Sequence, residues 1–237
     1  MQICFSADGV TSSNVLLMNS NHLLLLLVFA LLGVSHTSGY IGATVQGICV
    51  QSGTVNASID IDLSLTAARN HVSLAALHSS DVVIFPESYF SCGVYLVFIP
   101  GIGLVSRSRA LPYAESFPNS ILQVRNPCSS PEISPLTNPI LKNLSCMAAA
   151  NHVFVVASLL VMIPCDPASF EACPSDRQYL VRMTVVFDRE GDVVMRTVKT
   201  RYGLDDSYLD TVTSVVLRAT TPAYFDLKPS SSGSDNA

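Results

Sequence analysis

The stretch DVVIFPESYF, residues 81–90, decides the fold. Val82, Val83, Ile84 and Phe85 form an apolar run, three of them β-branched, which reads as a buried strand. Pro86 has no N–H to give to a ladder, so the strand ends there. Just upstream, IDLSLTAARNHVSLAALH, residues 61–78, sets Leu65, Ala68, Val72 and Ala76 at helical spacing. Ser79-Ser80-Asp81 breaks that helix. A helix running into a buried strand is the rhythm of an α/β sheet. Asp60 and Asp62 flank the helix start and read as partners of its dipole. Further upstream YIGATVQGICV, residues 40–50, reads as the first strand.

Downstream the pattern changes. Pro100, Pro112, Pro118, Pro127, Pro131 and Pro135 punctuate residues 91–135, which predicts a long surface excursion with little regular structure. The apolar patch VYLVFIPGIGLV within it reads as a strand or a lid. PILKNLSCMAAAN, residues 139–151, is helical, with Pro139 suited to a first turn. HVFVVASLLVM, residues 152–162, is a second buried strand. LVRMTVVF (180–187) and VVMRTVK (193–199) flank a polar loop, Asp188 to Asp192, and predict a β-hairpin in which Gly191 supplies a positive φ. DDSYLDTVTSVVLRAT is ambiguous, and residues 228–237 form a polar tail without core-forming residues.

Charged residues make up 13% of the 237 positions and hydrophobic ones 49%, which excludes a disordered chain and predicts a large core. The net charge of -5 leaves no basic footprint for nucleic acid. No C-x-x-C or His-rich cluster points to zinc, and His71, His78 and His152 have no partners at metal or triad spacing. No cofactor is implied.

The N-terminal run LLLLLVFALLGV, residues 23–34, is too short to span a bilayer and fits the core of a signal peptide. Residues 1–39 are therefore expected to be a leader, with 1–17 as an upstream extension; an uncut signal anchor is the alternative. The folded unit is then 40–227. Six cysteines follow the leader, and an even count in an exported chain favours disulfides. Cys165 and Cys173 enclose a short polar loop that a bridge could close, and Cys146, in the helix, reads as buried or bridged. Asn56-Ala57-Ser58 and Asn143-Leu144-Ser145 are N-glycosylation acceptors, in keeping with a secreted glycoprotein.

FPES after a buried strand, RNPC at 125–128, LSCMAAANHVFVVAS at 144–158, the PCDPASFEAC loop and VVFDREGDVVMRTVK come in an order that resembles the vanin and biotinidase branch of the nitrilase, or carbon–nitrogen hydrolase, superfamily. The similarity runs from about Tyr40 to about Lys199. It implies part of an α-β-β-α sandwich, with a mixed sheet and helices on its outer face. It also implies hydrolysis of linear amides, such as pantetheine or biotinyl amides, through a Glu, a Lys and a Cys.

By that resemblance Glu87 is the general base and Lys199 the cation that stabilises the oxyanion. The residue pattern alone favours a solvated Glu capping the next turn, and a Lys at a strand end facing water. Thr197-Val198 stand where the branch has an aromatic–His pair before its lysine. The nucleophilic Cys of the family should follow the lysine by a few tens of residues, yet no Cys occurs after Cys173. The expectation is thus a chain truncated before its nucleophile and inactive as an amidase, or a non-catalytic family member that binds a ligand or partner. Cys92, five residues from Glu87, reads poorly as a substitute, because a neighbouring carboxylate opposes thiolate formation. Asp205-Asp206 reads as a solvated acidic turn. A sheet lacking strands should expose an edge through which copies associate.

Overall fold

The protein is seen here in a computed structural model that describes residues 2–7, 40–46, 56–91, 94, 106–117, 124–168, 173–199 and 209–210. Among them seven strands form one mixed sheet: β1 (Gln2–Ala7), β2 (Ile41–Gln46), β3 (Val82–Ile84), β4 (Glu115–Ser116), β5 (Phe154–Pro164), β6 (Gln178–Phe187) and β7 (Val193–Val198). The order is β1-β2-β3-β5-β6-β7, with β4 also on β5. The β2–β3, β3–β5 and β4–β5 pairs are parallel, and the β1–β2, β5–β6 and β6–β7 pairs antiparallel. β5 is the hub. Its first residues take β3 and its later ones take β4, while β6 runs along its other edge.

The helices are α1 (Ala57–Leu77), the short α2 (Arg107–Ala110) and α3 (Pro139–Asn151). α1 and α3 pack side by side on one face, α3 lying over β5 and β6. Between them and the sheet lies the main core, with Leu65, Ala68 and Val72 from α1, Leu141, Leu144 and Ala148 from α3, and Val83, Val155, Leu159, Val181 and Met183 from the strands. The opposite face carries a smaller cluster of Val82, Phe154, Val186 and Met195. The chain is thus α/β, with a mixed sheet and its helices on one face, as the sequence led us to expect.

Local chemistry explains the element ends. Asn56 caps α1, its Oδ1 accepting the Ser58 N–H at 3.2 Å. α3 begins at Pro139 and has no side-chain cap from Asn138; the Glu115 carboxylate of β4 fills that place and accepts the Ile140 and Leu141 N–H groups. It is buried with no cation paired to it among the described residues, and desolvation pushes it up to about 8 against the opposing pull of those two N–H groups. The β6–β7 hairpin turns as expected at Gly191, whose φ is 84°. Its carbonyl accepts the Ser145 hydroxyl of α3 at 2.6 Å, and that same Oγ accepts the Cys128 N–H at 3.0 Å. One buried serine thus holds helix, hairpin turn and the RNPC loop together.

One expectation needs correction. Residues 91–135 are not a wholly surface excursion: α2, a 3-10 turn at Leu111–Tyr113 and β4 are the short regular elements there among the described residues, and Ala110, Tyr113, Phe117 and Ile133 are buried. Pro112 opens the 3-10 turn without keeping Tyr113 off the core. Asp60 lies in the first turn of α1, as its reading as a partner of the helix dipole requires, and it is also buried and accepts the Tyr113 hydroxyl at 2.7 Å. Burial, then this contact, raises the Tyr113 phenol well above its ordinary range. Strand β1 lies within residues 1–39, the expected leader; its place beside β2 does not bear on whether that leader is removed. The apolar run 23–34, Cys49, Cys92, residues 95–105, Asp205-Asp206 and the tail 228–237 lie outside the described residues.

Candidate functional site

The turn after β3 presents one carboxylate. The Phe85 N–H still donates to Val156 O at 2.9 Å, and the ladder stops at Pro86, which has no N–H. The chain then folds back, Tyr89 N–H to Pro86 O at 3.2 Å, with Ser88 left-handed at φ 68°. Phe85, Tyr89 and Phe90 are buried as a cluster of rings 5.0–5.5 Å apart. They pin the turn from below and leave Glu87 with a side chain 46% exposed.

Lys199, the first residue beyond β7, reaches that carboxylate. Its N–H continues the hairpin ladder by donating to Arg182 O at 2.9 Å, which sets it beside Arg182 of β6. Its Nζ lies 2.7 Å from Glu87 Oε1. Arg182 Nε lies 3.0 Å from the same oxygen, a charge–charge contact rather than an aligned hydrogen bond. Two cations from neighbouring strands therefore meet one carboxylate from a third. The arrangement leaves an ammonium group part-exposed beside a fixed acid, which is what polarising a carbonyl and moving a proton require.

Sequence reasoning missed Arg182. The signal was there: an Arg inside YLVRMTVVF breaks an otherwise apolar run, and a buried cation demands an anion. It also missed the part played by Arg107, which pairs with Asp176 at 2.9 Å and with Asp210, tying residue 210 to the edge of β6.

Of the other predicted positions, Cys165 and Cys173 are joined in a disulfide, and Cys146 is bridged to Cys128. Asn56 is exposed at its cap. Asn143 lies inside α3, where its Nδ2 donates to Pro139 O at 2.8 Å and its Oδ1 accepts from Arg69. His71 is buried against Tyr89, and burial lowers it from its ordinary value. His78 ends α1 and His152 ends α3. Among the described residues no group of three or more His, Cys, Asp or Glu stands ready to hold a metal.

No family model matches the chain. Curated proteins do. Symplectin from Sthenoteuthis oualaniensis is 34% identical over 125 residues, 51% of this chain and 25% of its own length. Pantetheinase from Sus scrofa is 32% identical over 147 residues, 62% and 26% respectively. Biotinidase from Bos taurus is 31% identical over 133 residues, 56% and 23%. The chain thus spans about a quarter of the length of these relatives. Among solved structures, an amidase from Nesterenkonia sp. AN1 is matched over 75% of this chain and 50% of its own at 16% identity, with a TM-score of 0.41. The sequence relatives of this chain, pantetheinases, biotinidases and symplectin, are those of the vanin and biotinidase branch of the carbon–nitrogen hydrolases.

Proposed function

We propose that Glu87 and Lys199 are the acid–base and oxyanion-stabilising groups of a carbon–nitrogen hydrolase site for linear amides of the pantetheine or biotinyl kind. The observation that carries this reading is the 2.7 Å contact between Lys199 Nζ and Glu87 Oε1, made by the two positions that match the family's motifs. The ammonium faces the amide oxygen, where negative charge grows as the carbonyl is attacked; one fixed donor of this kind contributes about 3–4 kcal/mol. Glu87 takes the proton of the attacking thiol and returns it to the departing amine.

All four cysteines with described side chains are tied in disulfides, and a disulfide sulfur is no nucleophile. This favours a second reading, in which the chain binds the amide without cleaving it. Export through the secretory route and association through a sheet edge accompany both readings as further proposals.

One pair of measurements tests them. Purified chain is mixed with pantetheine and with a biotinyl amide, and both amine release and thermal stability are followed. The expected result is stabilisation by one amide, about 2.7 kcal/mol at 100-fold its Kd, lost in Glu87→Gln and Lys199→Met; amine release decides between the catalytic and the binding reading. Absence of any stabilisation at millimolar amide overturns the site. Amine release abolished by Cys92→Ala keeps the site and refutes the non-catalytic reading.

A further inference from the structure

We infer that Arg182 is a positioning residue that holds Glu87 in register with Lys199, an inference resting on the roles given to Glu87 and Lys199 above. Three observations meet at this side chain. It is buried, 1% exposed, in the middle of β6. Its Nε lies 3.0 Å from the Glu87 oxygen that Lys199 also holds. Its backbone carbonyl receives the Lys199 N–H and so fixes where the lysine leaves the sheet.

A guanidinium this deep cannot reach a ligand, so it acts through the carboxylate. The Glu87 side chain rises from a turn and is half exposed, with Lys199 a flexible partner at 32% exposure. Nothing in such a pair alone would hold the carboxylate still, since exposed pairs contribute little and exchange geometry readily. A buried cation does, because its guanidinium is fixed by the packing around β6 and its attraction for the carboxylate is little screened by solvent. Arg182 is thus the fixed member of the cluster, and Glu87 is positioned against it.

The direction of one effect separates this from simpler roles. The rate at which an acylating reagent modifies Lys199 at fixed pH measures how strongly that amine is held as its cation; peptide mapping separates it from Lys142 and Lys228. Glu87→Gln removes the counter-ion and speeds the reaction. Arg182→Met keeps the volume and removes the charge, an exchange that buried positions often tolerate. If Arg182 positions Glu87, its loss lets the carboxylate drift, and Lys199 is acylated at least threefold faster, towards the Glu87→Gln rate. If Arg182 is only a neighbouring charge, its loss removes repulsion and the rate falls. If it is only a packing element, the rate stays within twofold of wild type. Either of the last two results overturns the inference. Arg182→Gln is the second variant, read in the same way, should the Met variant not fold. Amide binding and hydrolysis do not enter this readout, so a failure of this inference is told apart from a failure of the functional reading.

Discussion

Glu87 Oε1 and Lys199 Nζ stand 2.7 Å apart although 112 positions separate them in the chain. Each arrives at the end of a strand, β3 and β7, and the sheet order puts β5 and β6 between those strands. The contact therefore crosses two strands, spanned by the Lys199 side chain and the turn after Pro86.

The two partners are not equal in stability. Lys199→Met removes one half of a part-exposed pair and should cost under about 1 kcal/mol. Glu87→Gln also removes the charge facing buried Arg182 and should cost more, about 2–3 kcal/mol after allowance for solvent at Glu87. Urea unfolding of both variants checks the order; a Lys199 variant that loses more would contradict it.

The carboxyl of Glu115 makes stability fall with rising pH. Its folded value of about 8 stands above the ordinary 4.5, so the folded chain holds this proton more tightly than the unfolded one. The contribution is complete below about pH 4.5 and is lost as pH passes through 8; it amounts to at most about 5 kcal/mol. Glu115→Gln, which can still accept the two N–H bonds, should flatten the decline between these limits. Melting temperatures of both proteins from pH 5 to 9 test this, and parallel curves would refute it.

Gly191 meets two constraints at once. Its φ is 84°, and a Cβ there would lie 2.6 Å from Ser145 O and 3.1 Å from Ser145 Oγ. Gly191→Ala should therefore destabilise by about 2–4 kcal/mol, more than a strained turn alone. Ser145→Ala, which removes only the hydroxyl bonds to Gly191 and Cys128, should cost less, about 1–3 kcal/mol. Chemical denaturation of the two variants gives the comparison.

The two glycosylation acceptors should not be equivalent. Asn56 is exposed, and its cap uses only Oδ1. The Asn143 Nδ2 is engaged with Pro139 O, and Ser145, its sequon hydroxyl, is buried in the clasp. Material secreted from eukaryotic cells should carry a glycan at Asn56 and none at Asn143. Deglycosylation with peptide mass mapping reads this, and full occupancy at Asn143 would overturn it.

Much of the fold could be read from local pattern. β3, α3 and the β6–β7 hairpin announce themselves through apolar runs, a first-turn proline and Gly191, because backbone chemistry decides them. Residues 106–117 did not, since their burial comes from partners far away in sequence, such as Asp60 for Tyr113 and the start of α3 for Glu115. The candidate site divides similarly. Glu87 and Lys199 were singled out through their motifs, whereas Arg182 comes into view only because the ladder brings it beside Lys199.

The hub position of β5 bears on how the chain reaches this state. α3, β5, β6 and β7 follow one another from Pro139 to Val198, so their pairing is local and can nucleate early. β3 and β4 must then dock on the other edge of β5 from distant parts of the chain, closing long loops as they do so. Glu87 travels with β3. On this ordering Arg182 meets this carboxylate only when β3 docks, and contact between acid and amine is expected to belong to the closing stage of folding.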